Sequence, residues 1–116
     1  MDTPLYGTVV SFSKTDDFYA VSIDIDVNDV IDSVLHLDNE LTAKIVEETL
    51  SEQEKDFADN AVVEAVYRLV SAMRQPLASE YICRNILHEI IYYVLCGSCG
   101  KAFLQSVTKF LFLMMR

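Results

Sequence analysis

Two cysteines separated by two residues stand near the C-terminal end of this sequence, in the stretch C-G-S-C at residues 96–99. Such a pair supports disulfide exchange when one thiol lies at a helix N-terminus, where its pKa is lowered. It also supplies half of a tetrahedral zinc site, for which Cys83 and His88 are the nearest further ligands. No second C-x-x-C pair and no thioredoxin-like strand-helix-strand pattern accompanies it. We therefore expect the cysteines to be structural.

A second cluster, D-I-D-V-N-D at residues 24–29, resembles the start of a calcium-binding loop. Asp24, Asp26 and Asn28 occupy its first, third and fifth positions. The glycine needed at the sixth position is replaced by Asp29, and no glutamate stands at the twelfth. Calcium is therefore not expected here, and Asp26 is expected to cap the helix that follows.

Two histidines, His36 and His88, complete the residues whose side chains commonly take part in chemistry. The sequence places no Ser or Cys partner beside either of them, so a nucleophilic triad is unsupported. His36 is expected near a helix end, where a partly charged imidazole suits the helix dipole. We predict no catalytic, cofactor-binding or metal-binding residues, and we do not expect an enzyme.

Charge excludes one class of partner. The chain of 116 residues has 18 acidic and 9 basic side chains, a net charge of -9. Nucleic-acid binding needs clustered Lys and Arg against phosphates, and no such patch is present. The N-terminus has no signal-peptide pattern, and no apolar run is long enough to span a bilayer. The composition predicts a single globular domain in the cytoplasm, without a disulfide framework.

The first part of the chain is predicted to form a β-hairpin. Residues 6–13 are rich in β-forming side chains, residues 14–17 are turn-like, and residues 17–26 alternate with a period of two. Helical spacing then predicts a helix over 27–37 and a clear amphipathic helix over 57–73. Between them, residues 41–55 are ambiguous, because they contain good helix formers. An extended or irregular start is favoured, followed by a helix from about residue 52 capped by Ser51.

Two further helices are expected after Pro76, which breaks the helical pattern. The first runs over 77–96 and ends before Gly97, and the second begins at about Lys101. The predicted fold class is therefore α+β: a short antiparallel hairpin at 1–26 followed by about four amphipathic helices at 27–116.

The stretch 88–104, H-E-I-I-Y-Y-V-L-C-G-S-C-G-K-A-F-L, resembles a segment of the N-terminal regulatory region of AraC-type transcriptional regulators. Members of that family carry R-E-I-L-Y-x-L-L-x-G-x-x-G-x-x-L there. Residues 59–73 resemble the family's D-x-x-L-L-x-A-x-x-R-L-L helix, and residues 18–35 resemble its last barrel strand running into a helix. Positions that match the first signature are Glu89, Ile90, Tyr92, Leu95, Gly97, Gly100 and Leu104; His88, Ile91 and Val94 depart from it.

The resemblance covers roughly residues 4–106 and implies a function. In such regulators a cupin-like β-barrel binds an effector, the following helices mediate dimerisation, and a separate C-terminal region with two helix-turn-helix units binds DNA. The hairpin would then be a remnant of the barrel, and a small-molecule effector pocket would be incomplete. The resemblance thus implies a truncated regulatory and dimerisation domain, a single partial domain without DNA binding of its own.

Self-association through helices 77–96 and 101–113 is the expected mode of action, giving a homodimer. The same apolar side chains would serve equally well as intrachain core, and the pattern alone does not separate the two. In the alternative hypothesis, the chain is a small stand-alone ligand-binding or thiol-sensing protein that uses Cys96 and Cys99. Gly97 and Gly100 are predicted to bracket the inter-helix turn. The interface candidates are Ile90, Ile91, Val94 and Phe103.

Overall fold

Three strands at the N-terminal end form one antiparallel sheet in the order β1-β2-β3. They are β1 (Asp2–Leu5), β2 (Thr8–Thr15) and β3 (Phe18–Asp24). The structure is a computed structural model that describes residues 2–5, 8–15, 18–75 and 80–106, with side chains from residue 21 onward. Of the predicted hairpin, the pairing between β2 and β3 is present, from Val9 opposite Asp24 to Thr15 opposite Phe18.

The predicted fold class is wrong. Helices dominate the described part of the chain, and its strands form a three-stranded meander instead of a two-stranded hairpin. The missed strand is β1, which pairs with β2 from Asp2 opposite Ser11 to Leu5 opposite Thr8. Its four residues include Pro4, which cannot donate a ladder hydrogen bond and gives no strand signal. Because β1 lies at the sheet edge, a proline is tolerated there.

Helix α1 (Val27–Leu35) begins where the sequence predicts. The Asp26 side chain caps it by accepting a hydrogen bond of 2.8 Å from the Asn28 N–H. This satisfies one of the N–H groups that the first helical turn leaves without an intrahelical partner. His36 is the C-cap of α1, near a helix end as predicted. Its Nδ1 lies 2.5 Å from the Asp32 carbonyl oxygen.

Helix α2 (Asn39–Val46) occupies the segment predicted to be extended, so that prediction is wrong. The signal that decides it is Asp38, whose carboxylate accepts a hydrogen bond of 2.7 Å from the Leu41 N–H. The helix ends at Val46, and Glu48, two residues later, is the non-glycine residue with a left-handed backbone in the described chain, at φ 56°. Short helices depend on their caps and packing, which periodicity over eight residues shows poorly.

Helices α3 (Glu52–Met73) and α4 (Glu80–Cys96) are the longest elements, and both lie where the apolar spacing predicts them. Ser51 caps α3 through a hydrogen bond of 3.1 Å from the Glu54 N–H to its hydroxyl oxygen. A further helical segment covers residues 100–106. Pro76 and residues 107–116 lie outside the described residues. None of the described helices is long and apolar enough to cross a bilayer.

The core is built mainly by α4 against α3, with α1 and α2 covering it. The apolar face of α4 recurs at three and four residues and is buried over its whole length, as expected for a central helix. From β3, the alternating residues Val21 and Ile23 pack against this core, while Ser22 and Asp24 face outward. The buried cluster consists of Val30, Ile45, Ala65, Leu69, Cys83, Ile86, Leu87, Ile90, Ile91, Leu95 and Leu104.

Candidate functional site on helices α3 and α4

Helices α3 and α4 run antiparallel and are joined by two polar contacts. At one end the Asp59 carboxylate of α3 accepts two hydrogen bonds from Ser98, one from the backbone N–H at 3.0 Å and one from the hydroxyl. Nearer the other end, Arg68 donates two hydrogen bonds to the Glu89 carboxylate at 3.1 and 3.2 Å. The fork geometry of a guanidinium on a carboxylate fixes both distance and orientation. The two contacts therefore set the register of the helix pair.

These contacts join the two stretches that sequence reasoning singled out separately. Asp59 and Arg68 are the polar positions of the 59–73 pattern, and Glu89 begins the matching part of the 88–104 pattern. Sequence reasoning did not predict this pairing, because helical patterns specify which face is apolar and not which polar side chains meet. The spacing could have indicated the pairing. The separation between residues 59 and 68 equals that between residues 89 and 98, as two contacts between antiparallel helices require.

Gly97 and Gly100 are required because a side chain at either position would overlap a neighbouring group. Among the described residues no glycine has a positive φ, so neither Gly97 nor Gly100 is needed for a left-handed backbone. A Cβ on Gly97 would overlap Oδ1 of Asp59, the oxygen that receives the Ser98 N–H. A Cβ on Gly100 would overlap the Leu95 carbonyl oxygen at the end of α4. Gly97 thus permits the close approach that brings Ser98 to Asp59, and Gly100 permits the close approach of the turn to the end of α4.

Acid is expected to weaken the Asp59–Ser98 contact. The hydrogen bonds from the Ser98 hydroxyl and then from its backbone N–H hold the Asp59 pKa below its ordinary value of 3.8. A lowered carboxyl pKa contributes stability above the ordinary value that is lost as pH falls through the folded-state value. From pH 5 to pH 3, the Tm of the wild type should fall further than that of Asp59→Asn. Parallel Tm curves over this range, measured by circular dichroism, would contradict the assignment.

The cysteines show no sign of catalytic activation. All three are free thiols: Cys83 is buried, Cys96 is half-buried and Cys99 is exposed. Burial raises the pKa of the Cys83 thiol. It also raises that of Cys96, although a hydrogen bond with Tyr92 acts in the opposite direction. Reactive thiols have lowered pKa values, so these two environments favour the unreactive protonated form.

The described residues contain no group of three or more His, Cys, Asp or Glu side chains arranged to hold a metal ion. In the calcium-like cluster, Asp26 caps α1 and Asp29 forms an ion pair with Arg84 of α4. The Asp29 carboxylate is 4% exposed and lies 3.0 Å from Nη2 of Arg84. This ion pair holds α1 against α4 and gives the acidic cluster a structural role.

The four predicted interface residues lie on the inner side of the helical layer. Ile90 and Ile91 are 2% and 0% exposed and belong to the core. Val94 and Phe103 are partly buried and pack against that core. Their role at an interface stays a prediction. The structure places all four side chains in or against the intrachain core.

Several exposed apolar side chains lie on α3. Val63 and Tyr67 are 70% and 76% exposed, and Val70 lies one turn further on the same side. With neighbours at alternating intervals of four and three residues they form a continuous line along the helix, the spacing of a coiled-coil seam. We define the α3 seam as Asp56, Asn60, Val63, Tyr67, Val70 and Arg74.

A cleft opens beside the α3 seam, between α3 and strand β3. It has a volume of about 450 Å³, within the range of small-molecule sites. Among the residues whose side chains are described, Val21 lines it on the sheet side and the other lining residues belong to α3 and its C-cap. Sequence reasoning missed this cleft, because the distance between a strand and a helix is not encoded in the periodicity of either. The lining residues are Val21, Val63, Val66, Tyr67, Val70, Ser71 and Arg74.

Comparison with known proteins gives one result. Residues 1–102 match the family described as AraC-type transcriptional regulator N-terminus. No curated protein and no solved structure matches the chain. The matched segment contains the whole described fold from β1 to the turn after α4, including Asp59, Arg68 and Glu89. The chain therefore belongs to the family of AraC-type transcriptional regulator N-termini, as the resemblance predicts.

Proposed function

We propose that this chain is the dimerisation part of a cytoplasmic AraC-type regulator and makes no contact with DNA itself. The net charge of -9 supports the second statement, because phosphates would be repelled. The observation that carries the first is the α3 seam, an exposed line of side chains whose pattern is complementary to itself. That the chain is truncated stays a prediction from the resemblance.

The α3 seam is symmetric about its midpoint between Val63 and Tyr67. If α3 of a second copy lies antiparallel across a two-fold axis, Val63 meets Tyr67 of the second copy. In the same register Asp56 meets Arg74 of the second copy, so each end of the interface pairs an acid with a base. A two-fold interface must match itself in this way. The seam extends for about 27 Å at 1.5 Å per residue.

The opposite orientation is disfavoured by charge. In a parallel pair Asp56 would face Asp56 of the second copy, and Arg74 would face Arg74. Like charges brought together at an interface cost free energy and suppress that arrangement. Burial of the exposed Tyr67 and Val63 side chains supplies the hydrophobic driving force. The charges then select the antiparallel register.

Charge reversal tests the seam directly. Asp56→Lys should raise the dimer dissociation constant roughly tenfold, because two symmetry-related attractive pairs become repulsive. The double variant Asp56→Lys with Arg74→Asp restores opposite charges and should recover most of the affinity. Sedimentation velocity over a dilution series measures both. Glu47→Lys makes the same charge change on the exposed C-cap residue of α2 and should leave the equilibrium unchanged.

Two outcomes would refute the proposal. A wild type that stays monomeric at the highest concentrations would remove dimerisation altogether. A dimer that responds equally to Asp56→Lys and Glu47→Lys would place the interface elsewhere. For the thiol-sensing alternative, burial raises the pKa of Cys96, which favours its less reactive protonated form.

A further inference from the structure

We propose that a small pocket between α2, the start of α3 and the turn after α4 holds a free tetrahedral oxyanion of the phosphate class. All three lysines whose side chains the structure describes line this pocket. They are Lys44 of α2, Lys55 of α3 and Lys101 of the helical segment 100–106. An ion bound by all three would hold three elements together, so we assign it a structural role. None of the described lining residues belongs to the α3 seam, and the site does not depend on the proposed dimer.

The charge around the pocket is positive although the chain as a whole is acidic. Eighteen acidic and nine basic residues give a net charge of -9. Among the described lining residues, however, the charged side chains are the three lysines and Glu48, a local excess of two positive charges. Like charges repel, so gathering three cations costs free energy unless an anion lies among them. A dianion balances an excess of two.

Each lysine lies near a glutamate, but the three pairs are loose. The Nζ–Oε1 distances are 3.7 Å for Lys44–Glu40, 3.9 Å for Lys55–Glu52 and 3.6 Å for Lys101–Glu48. All three are longer than the roughly 2.7–3.2 Å of an N–H···O hydrogen bond. Glu40 and Glu52 are 84% and 87% exposed, and ion pairs at exposed positions contribute little. Because an ammonium group has three donor hydrogens, each lysine can also donate to an ion in the pocket.

The pocket has an apolar floor and a cationic rim. Ile45 and Leu95 line it and are 3% and 0% exposed, whereas the lysine side chains are 25%, 38% and 46% exposed. Ser98 also lines the pocket, but its N–H and hydroxyl both donate to Asp59, so the lysines supply the donors. The buried floor lowers the local dielectric and strengthens hydrogen bonds made at the rim.

The size of the pocket limits the ligand to a small ion. Its volume is about 30 Å³, and a cavity needs about 10–15 Å³ to hold one water molecule. Two oxygen atoms of a tetrahedral ion would therefore fit inside, with the other two at the rim, facing the ammonium groups. An ester would replace one of these oxygens by a substituent and lose an acceptor, so a free ion is the better fit.

The donor type favours a tetrahedral ion over a carboxylate. Lysines act as point charges that suit phosphate, whereas a planar carboxylate is best matched by the fork of an arginine. No arginine is among the described lining residues. Screening at physiological salt limits charge interactions to about 8 Å. A small ion in the pocket is therefore governed by the nearby lysines more than by the net charge of the chain.

Titration with inorganic phosphate tests the site, with potassium chloride adjusted to keep the ionic strength constant. At about pH 8 a phosphate group is mainly a dianion, and NMR follows the backbone amides of the pocket. Their shifts should saturate, and acetate and methyl phosphate should bind several-fold more weakly. Lys55→Gln and Lys101→Gln should each weaken phosphate about tenfold, as expected for a hydrogen bond to a charged group. Lys14→Gln, which removes a lysine from β2, should have no effect.

Glu48 provides a test in the opposite direction. It is the acid among the described lining residues, so Glu48→Gln should tighten phosphate roughly threefold by removing a repulsion. Glu47→Gln makes the same change at the neighbouring residue and should leave the affinity unchanged. Phosphate should also raise the Tm of the wild type more than that of Lys101→Gln, since a bound ion stabilises the folded state. The comparison between the two proteins removes the general stabilising effect of phosphate.

Four results would overturn parts of the proposal. Shifts that do not saturate, or equal phosphate affinities of the wild type, Lys55→Gln and Lys101→Gln, would overturn the site. Acetate bound as tightly as phosphate would overturn the tetrahedral ion, and methyl phosphate bound as tightly would overturn the free ion. Equal responses to Glu48→Gln and Glu47→Gln would contradict the position of the ion. Equal Tm gains in the wild type and Lys101→Gln would overturn its structural role.

Discussion

Replacing Arg84 by methionine is expected to lower the free energy of unfolding by about 3–5 kcal/mol, the typical cost of breaking a buried ion pair by removing one member. Arg84 reaches from α4 to the Asp29 carboxylate of α1 at 3.0 Å, and the Asp29 side chain is 4% exposed. Methionine keeps most of the apolar stem but removes the cation. The carboxylate would then lie in a site of low polarity with its main counter-charge gone.

The expected loss of stability comes from breaking the buried pair of Arg84 and Asp29 and not from removing a cation from the protein. Lys44→Met removes a lysine from the exposed pair with Glu40 on α2, which should cost well under about 1 kcal/mol. Adding Asp29→Leu to Arg84→Met removes the buried negative charge and should recover part of the loss, since apolar replacement of a buried pair is often tolerated. Urea unfolding at one protein concentration compares these three variants with the wild type. Equal losses for Arg84→Met and Lys44→Met would contradict the assignment.

The second large effect is expected from Gly100→Ala, which should destabilise the protein by about 2–3 kcal/mol. The added methyl would overlap the backbone carbonyl oxygen of Leu95. Leu95 is fully buried, so the last turn of α4 cannot move away without disturbing the core. The higher helix propensity of alanine returns about 1 kcal/mol at most at this helical position. The steric cost is therefore expected to dominate.

Neighbouring substitutions separate the steric cause from a general sensitivity of the turn. Gly97→Ala would meet the side chain of Asp59, which can rotate away at the cost of its hydrogen bonds to Ser98, so a smaller loss is expected. Cys99→Ala changes an exposed side chain and should stay within about 0.5 kcal/mol of the wild type. If thermal unfolding finds Gly100→Ala and Cys99→Ala alike, the close approach to Leu95 does not constrain the turn.

Much of the helical layer could be predicted from local patterns. Apolar side chains at intervals of three and four specify α3 and α4 because each helix must bury one face. Asp26 and Ser51 mark helix starts because their side-chain oxygens accept hydrogen bonds from the first turn. These signals act over a few residues, so a single sequence contains them. The resemblance to AraC-type regulators came from the same local spacing and is confirmed over residues 1–102.

Other elements could not be predicted because their stability comes from contacts outside the element. Strand β1 is four residues long and exists through its pairing with β2. Helix α2 is eight residues long, too short to be stable alone, and is fixed by Asp38 at its start and by the burial of Ile45. For segments this short, tertiary context outweighs propensity. The prediction of a sheet with only two strands and the prediction of an extended segment at α2 were therefore wrong.

The sequence by itself determined that the protein is acidic, that its helices are amphipathic, and that its glycines rather than its cysteines carry the informative spacing. Only the tertiary structure decided what those glycines do, because the overlap of a Cβ with Asp59 depends on a residue far away in the chain. It also decided which apolar residues are exposed. Ile90 and Tyr67 both have large apolar side chains on long helices, but Ile90 is 2% exposed on the central helix α4 and Tyr67 is 76% exposed on α3. Burial is a property of the assembled layers, and periodicity alone does not contain it.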